Sequence, residues 1–346
     1  MGCQMGVNLS DIIERDKRKI SDFSKKVIAV DAANALYQFL ASIRQPDGTP
    51  LMDSSGRVTS HLTGLLTRTA NLAASGIKLV YVFDGKPHEL KHETLAERRE
   101  IKMKAQTEWE MALEAGDIEL AKSKAQQTSR LTNEMIEEAK ILLERLGVPY
   151  VVAPGEGEGQ ASYMAKQGDV WAAASQDFDA VLFGCPNLVR NLTLSGRRKL
   201  PGKNVYVDIE PESVDLAGAL SKLGVTQRQI VDVGILCGTD FNNGVKGVGP
   251  KTALKLIKEY GTLEKIIAAK GYEIKNYEAV QKIFLEPSVT DDYKQKLVWG
   301  KPDLDSIKDF LCAQREFSIE RVEGAVKKFE VAKDAGAQKS LDAWFG

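Results

Sequence analysis

The sequence predicts an α/β fold: a mostly parallel central sheet flanked by helices, with one large helical insertion and a later helix pair joined by a glycine-rich turn. Three observations carry this. Short apolar runs alternate with helix-periodic stretches, the pattern of strands and crossover helices in a parallel sheet. Residues 88–135 interrupt the alternation with long, charged, helix-forming sequence. NNGVKGVGPKTA, residues 242–253, places a cluster of glycines between two helical patterns.

The elements follow in order. KVIAVDAANALYQFL (26–40) reads as a buried strand ending near Asp31, then a helix. GIKLVYVFDGKP (76–87) is a second strand ending at Asp84, then a turn. LTNEMIEEAKILLERLG repeats its apolar residues at helical spacing and predicts a packed amphipathic helix. VPYVVA (148–153) is a third strand, and DVWAAASQDFDAVLFG (169–184) holds a fourth followed by a polar DFD turn. VRNLTL and KNVYVDI predict a hairpin around the basic tip SGRRKLPGK, and helix-rich sequence runs on to about 333.

Composition narrows the class. The 346 residues suffice for roughly two domains or one large α/β unit. No apolar run approaches the roughly 20 residues that span a bilayer, and MGCQMGVNLSDIIERDKRK turns charged too early for a secretory signal. Gly2 and Cys3 resemble the start of a myristoylation site, but Gly6 stands where Ser or Thr is wanted. The 4 cysteines form no CxxC, which implies free thiols in a reducing, intracellular setting, and the 3 histidines form no zinc motif. A net charge of −1 gives no global attraction for nucleic acid, so any such case rests on local clustering.

The acids carry the chemistry. Asp31 and Asp84 end the first two strands, Glu156 and Glu158 follow the third, and Asp177 and Asp179 follow the fourth. In an open parallel sheet the carboxyl ends of strands line one crevice. In extended backbone, residues two apart point the same way, so ExE and DxD can each aim a pair at one point. Six clustered carboxylates repel one another unless they are solvated, protonated or bound to cations. Oxygen donors without His or Cys select Mg2+, with Mn2+ as a substitute, and two such ions about 4 Å apart can clamp a phosphodiester. An Asp after one strand is ordinarily a helix cap or turn residue; acids after all of the first four strands are not accounted for that way. The glycines of APGEGEGQA also fit a dinucleotide loop, but Glu156 and Glu158 would repel a pyrophosphate.

Basic segments stand beside the acids. Lys91 and Arg98 are seven apart, which predicts one shared helix face near the acidic crevice, although Glu89, Glu93, Glu97 and Glu100 also fit a solvated, salt-bridged helix. Arg190, Arg197, Arg198, Lys199 and Lys203 form a basic stretch with no acid, equally readable as a solubilising loop. Lys246, Gly247, Gly249, Lys251 and Lys255 form a turn and helix N-terminus suited to duplex phosphates, a helix–hairpin–helix-type pattern for positioning rather than base readout.

VIAVDAANALYQFL, YVFDGKP, APGEGEGQASYMA, ASQDFDAVLFG and LCGTDFNNGVKGVGPKTALKLI resemble, in order and over about residues 1–335, the flap endonuclease family of structure-specific 5′-nucleases in its archaeal form. The resemblance implies a nuclease domain over 1–335: an N-terminal region (1–105), a helical arch and cap inserted at 86–135, an internal region (145–260) and a duplex-binding motif at 236–261. It implies a first-metal set of Asp31, Asp84, Glu156 and Glu158 and a second set of Asp177, Asp179 and Asp240, the last a seventh carboxylate that strand logic had not assigned. Lys91 and Arg98 match residues at the scissile phosphate, Tyr37 a tyrosine stacking on the base beside the cut, and Arg44 and Thr59 a region recognising a one-nucleotide 3′ flap. Gly2 matches an N-terminal glycine near the active site. The glycine-rich turn would hold a K+ through backbone carbonyls, with Gly244 standing where some members offer a Ser side chain; Met5 is bulkier than the usual start. Residues 336–346 resemble a tail for a PCNA-type sliding clamp, with Leu341, Trp344 and Phe345 in an apolar pocket and Gln338 hydrogen-bonding beside it.

The expected protein is therefore a two-metal 5′ flap endonuclease and 5′-3′ exonuclease of Okazaki-fragment processing and DNA repair. It is expected as a monomer in the cytoplasm or nucleoid of an archaeon, or in the nucleus if eukaryotic. The alternatives are a sister 5′-nuclease, acting as junction resolvase or long-range exonuclease, and a non-catalytic clamp-bound scaffold.

Overall fold

A computed structural model describes residues 6–45, 47–125, 128–194, 196–199 and 206–329. The chain enters through a short edge strand, β1 (Asp16–Lys17), and reaches β2 (Val27–Asp31), whose β-branched residues suit a sheet buried on both faces. Helices α1 (Ala32–Ser42) and α2 (Ser60–Ala74) lead to β3 (Lys78–Phe83). The insertion follows as α3 (His92–Glu114) and α4 (Ile118–Ala125), packed against each other. The amphipathic stretch becomes α5 (Asn133–Arg145), and then come β4 (Tyr150–Val152), α6 (Gly157–Lys166), β5 (Ala172–Ala174), α7 (Asp179–Leu182) and β6 (Asn187–Arg190).

The sheet order is β1-β9-β6-β5-β2-β3-β4, where β9 is Glu212–Asp215. Strands β4, β3, β2, β5 and β6 are parallel, with Ala29 opposite both Val80 and Ala173, while β9 and β1 close one side antiparallel. The chain builds outward from β2 through β3 to β4, then returns to the other side of β2 as β5. That reversal is a topological switch point, and the crevice beyond the strand ends is where ligands bind in such sheets.

Alternate strand residues feed two cores. Ile28, Val30, Leu79, Tyr81 and Phe83 meet α1, α2 and α5, whereas Ala29, Val80 and Val82 meet α6 and the later helices. Phe39, Leu62, Leu65 and Leu66 are wholly or almost wholly buried, each contributing about 1.5–3 kcal/mol relative to exposure.

The expected hairpin is corrected. Its first arm is not VRNLTL: β6 lies inside the main sheet between β5 and β9, and a separate two-stranded ribbon pairs β7 (Gly196–Lys199) with β8 (Tyr206–Ile209). Leu188 and Val189 are fully buried in the sheet, a better place for an apolar pair than a solvent-facing hairpin. Arg197, Arg198 and Lys199 therefore sit on a strand rather than at a loop tip.

The last third is helical: α8 (Leu216–Leu223), α9 (Gln227–Cys237), α10 (Pro250–Tyr260), α11 (Leu263–Lys270), α12 (Tyr277–Leu285) and α13 (Leu304–Lys308), with a further helical stretch over 319–329. Their starts are written locally. Asp215, Thr262 and Asp303 cap α8, α11 and α13, and Thr226 with Gln229 forms a capping box on α9. Among the described residues no helix is long and apolar enough to cross a membrane.

Candidate metal centre and nucleic-acid interface

The switch-point crevice gathers the acids. Asp31 ends β2 and caps α1, accepting the Asn34 N–H at 3.0 Å. Asp84 follows β3 and accepts the Gly157 N–H at 2.7 Å, which ties it to the first turn of α6. The neighbouring Gly85 donates to the Gly155 carbonyl (2.8 Å), and a Cβ there would stand 2.0 Å from the Ala153 oxygen. Only glycine lets the two loops close, so Gly85 is what brings Asp84 beside the Glu156 loop.

Glu156 and Glu158 do not share one extended face, which corrects the alternation argument. Glu156 is the N-cap of α6 in extended conformation, and Glu158 lies in the first helical turn. Helical residues two apart diverge. The two carboxylates accordingly meet different neighbours: Glu156 faces Lys91, Asp84 and Asp240, whereas Glu158 faces Asp179, Asp31 and Asp177. The DFD acids are likewise split between a bend at Asp177 and the first residue of α7 at Asp179.

Backbone from the N-terminal segment reaches into the cluster. Gly6 N–H donates to Asp240 Oδ1 (3.0 Å), and Val7 N–H to Asp179 Oδ1 (2.7 Å). The Asn34 amide donates to Asp177 Oδ2 (3.0 Å). Lys91 inserts its ammonium between Glu156, to which it is hydrogen-bonded, and Asp240 Oδ2 at 3.5 Å, with the Phe241 ring centroid 5.5 Å away. Lys91 belongs to a 3-10 turn (Glu89–Lys91) that precedes α3, the helix on which Arg98 falls, so the two do not lie on one α-helix. The side chain of Arg98 lies outside the described residues, as do Gly2, Gln338, Leu341, Trp344 and Phe345.

Electrostatics mark the cluster as charge-stressed. Burial, reinforced by Asp84, pushes Asp31 up to about 7, and burial with Asp240 does the same to Asp179. Burial and then the Asp179 charge raise Glu158 and Asp177 well above the usual carboxylate range, and burial raises Glu156. Burial opposes the Lys91 charge, but Glu156, Asp240 and Asp84 outweigh it and hold the ammonium protonated.

The donor set fits divalent cations. It is all carboxylate oxygen, its members repel, and Glu158 Oε1 is buried with no hydrogen-bond partner among the described residues, an orphaned acceptor of the kind a cation satisfies. Among the described residues no three His, Cys, Asp or Glu side chains are drawn together as a finished ligand cage. That is consistent with mutual repulsion and with the capture of individual oxygens by Gly6, Val7, Asn34, Gly157 and Lys91. The pH consequence has a definite sign. Asp31 and Asp179 rise from 3.8 to about 7 on folding, so their contribution to stability is present below about pH 4 and is lost as pH rises through 7. Thermal melts with and without Mg2+ are expected to show a metal-dependent gain that is small at pH 5 and grows towards pH 8. A gain independent of pH contradicts the coupling.

The nucleic-acid candidates distribute around this centre. Tyr37 on α1 lies under the insertion, with Lys102 of α3 4.5 Å from its ring centroid. Lys246, Gly247, Gly249, Lys251 and Lys255 are exposed on one lip, the turn and outer face of α10, whose N-cap is Gly249 followed by Pro250. Gly244 is built into that turn: φ is +65°, and a Cβ would meet Gly238 N at 2.4 Å and Cys237 C at 2.5 Å. A Ser in this position is incompatible with the loop as folded, so position 244 brings no side-chain ligand to an ion.

Two expected DNA contacts prove heavily engaged by protein. Arg44 spends Nε on the Leu40 carbonyl, Nη1 on the Gly48 carbonyl and Nη2 on Ser129 Oγ, at 2.8, 2.8 and 2.9 Å. It pins the 44–60 loop, on which Thr59 is buried ahead of α2. Arg190 stacks over Phe178 (4.5 Å), donates to the Gln176 carbonyl (3.0 Å) and pairs with Glu212, thereby bracing the loop that carries Asp177. Sequence reasoning passed over Asn34, the Gly6 and Val7 amides, and a hollow of about 410 Å3 lined by Arg18, Lys19 and half-buried Arg68. Of these, only the Asp31-x-x-Asn34 cap spacing was readable beforehand.

Comparison with known proteins bears on the family and the fold. Models of the XPG N-terminal domain, the XPG I-region and the 5'-3' exonuclease C-terminal SAM fold match residues 5–105, 147–240 and 225–308. The chain is 51% identical over 352 residues to flap endonuclease 1 of Aeropyrum pernix and 48% identical over 341 residues to that of Methanosarcina barkeri, covering 99% of this chain and 100% of each relative. Among solved structures, flap endonuclease-1 from Methanococcus jannaschii aligns with a TM-score of 0.75 at 39% identity, over 95% of this chain and 100% of that one.

Proposed function

Since the chain belongs to the flap endonuclease 1 family, whose members are structure-specific 5′ nucleases dependent on divalent metal, we propose how its own residues divide the work. Asp31, Asp84, Glu156 and Glu158 hold one Mg2+ and Asp177, Asp179 and Asp240 a second. The observation carrying this reading is the buried, self-repelling carboxylate cluster with its orphaned Glu158 oxygen. Bound ions supply charge that draws in a phosphodiester and makes water a better nucleophile.

The remaining residues bind, orient and select. Lys91, with Arg98, grips the scissile phosphate, its ammonium turning from Glu156 and Asp240 to the phosphate oxygens; bound cations would balance those two carboxylates in its place. The Gly6 and Val7 amides hold Asp240 and Asp179 in fixed rotamers. Helices α3 and α4 arch over Tyr37, which stacks on the base beside the cut, and the 5′ flap threads beneath them. The 44–60 loop, pinned by Arg44 and started on α2 by Thr59, accommodates a 3′ flap. Lys246, Lys251 and Lys255 grip the downstream duplex beside a K+ held by turn carbonyls. Residues 336–346 dock on a PCNA-type clamp, and the enzyme works as a monomer within the cell during Okazaki-fragment processing and repair.

The test is Mg2+-dependent cleavage of 5′-flap, nicked and four-way junction DNA, with and without a clamp protein. Preferred incision at the base of the flap, stimulated by the clamp, is expected; preference for the junction or processive digestion from the nick reassigns the chain to a sister activity. A separate expectation concerns salt. Each phosphate-contacting Lys steepens the fall of log K with log[salt] by roughly 0.9. Lys251→Ala combined with Lys255→Ala is expected to flatten that slope by about 2 units while leaving the single-turnover rate at saturating DNA near that of the unsubstituted enzyme. An unchanged slope removes these lysines from the interface.

A further inference from the structure

Asn34 touches both carboxylate sets, one through its backbone and the other through its side chain. Its backbone N–H holds Asp31 Oδ1 at 3.0 Å and its side-chain amide holds Asp177 Oδ2 at 3.0 Å. It is 6% exposed, at the third position of α1, where the helix geometry fixes the backbone bond and leaves only the side chain to be aimed. That aim is set by a chain of bonds behind it. Gln38, one helical turn on, donates its amide to Asn34 Oδ1 (2.6 Å), and Thr193, 5% exposed after β6, donates its hydroxyl to Gln38 Oε1 (2.9 Å).

The direction of the chain follows from its end. Asn34 presents Nδ2 to Asp177 Oδ2, which leaves Asn34 Oδ1 to accept from Gln38 Nε2 and Gln38 Oε1 to accept from the Thr193 hydroxyl. Every donor points towards Asp177. The adjoining cavity, walled partly by Val30, Val189 and Leu192, measures about 10 Å3, about what one water molecule requires. Carboxylates that ligate metals depend on such outer hydrogen bonds for their orientation.

We infer that Asn34, oriented by Gln38 and Thr193, is a positioning residue that sets the spacing of Asp31 and Asp177 and thereby couples the two halves of the metal centre. This rests on the carboxylate cluster being the metal site, and the experiment separates the two ideas. Mn2+ binding to the full-length protein without DNA is measured by electron paramagnetic resonance for the unsubstituted protein, Asn34→Leu, Gln38→Leu and Thr193→Val. Single-turnover flap cleavage across a Mn2+ series is measured in parallel. The expected result is Mn2+ binding weakened about tenfold by Asn34→Leu, with progressively smaller losses for Gln38→Leu and Thr193→Val. The cleavage deficit at low Mn2+ should be recovered at high Mn2+, and near-ultraviolet circular dichroism should be unchanged.

Folded Asn34→Leu with undiminished Mn2+ affinity overturns the inference, as does a cleavage loss that added Mn2+ does not restore, because that is the mark of a purely structural role. Should Asn34→Leu not fold, Gln38→Leu decides by the same two readouts. Failure of the unsubstituted protein to bind Mn2+ overturns the metal reading itself, and this inference with it.

Discussion

Replacing Asp179 with Ala or Asn is expected to leave flap-DNA binding in place and to lower single-turnover cleavage by about three orders of magnitude, the scale of several kcal/mol of metal-derived stabilisation. The two variants differ in a way the structure makes plain. Asp179 Oδ1 accepts the N–H of Val7, and Val7 is 2% exposed. Asp179→Ala strands that buried donor at a cost of about 1–3 kcal/mol, whereas Asp179→Asn keeps an oxygen there and removes only the charge. Asp179 sits among Asp240, Glu156, Glu158 and Asp177, so losing its charge relieves repulsion. Asp179→Asn is therefore expected to melt at a higher temperature than the unsubstituted protein in EDTA, and to gain less from Mg2+. DNA binding is read in Ca2+ by fluorescence anisotropy and cleavage in Mg2+ by rapid quench. Near-normal turnover in either variant overturns the assignment of Asp179 to the metal centre.

This exchange of stability for activity shows why parts of the site were legible in sequence. Asp31 and Asp84 stand out because charge at the end of a buried apolar strand has no packing rationale, and the sheet topology then brings such ends together. The identities of Glu156 and Glu158 were legible for the same reason. Their division was not, because it turns on where α6 begins: a one-residue difference between cap and first turn sends two carboxylates in different directions. Asp240 follows a helix, α9, rather than a strand, so no strand-end argument reaches it and only family resemblance did. The misplaced hairpin has a related cause. VRNLTL reads as an extended arm and SGRRKLPGK as a basic tip; the strand that pairs with Tyr206–Ile209 is instead Gly196–Lys199, while Leu188 and Val189 fill the main core, a tertiary fact. Arg44 was expected at DNA from the family resemblance and Arg190 as one of a basic stretch; sequence shows a charge but not the carbonyls that engage it. Asn34 was invisible as a site residue because its partner Asp177 is 143 positions away.

Lys91 is the position where the metal-free and working states make opposite demands, and its substitution carries the second large effect. Its ammonium lies between Glu156 and Asp240, with the three side chains 16%, 16% and 11% exposed. Breaking a buried ion pair by removing one partner costs roughly 3–5 kcal/mol, because the remaining charge is left uncompensated. Lys91→Met keeps the apolar stem over Phe241 and deletes only the charge, so it is expected to lower the melting temperature in EDTA, opposite in sign to Asp179→Asn. Mg2+ is expected to return most of that loss, since the ions supply the positive charge that Lys91 had given Glu156 and Asp240. Catalysis is expected to remain about 100- to 1,000-fold down at saturating Mg2+, the usual deficit when a positioned donor to developing charge is removed. The two readouts therefore separate: metal rescues stability without rescuing rate. Equal rescue of both would make Lys91 a countercharge for the empty carboxylates only, whereas an unchanged melting temperature in EDTA would show that the contact with Glu156 and Asp240 contributes nothing to the fold.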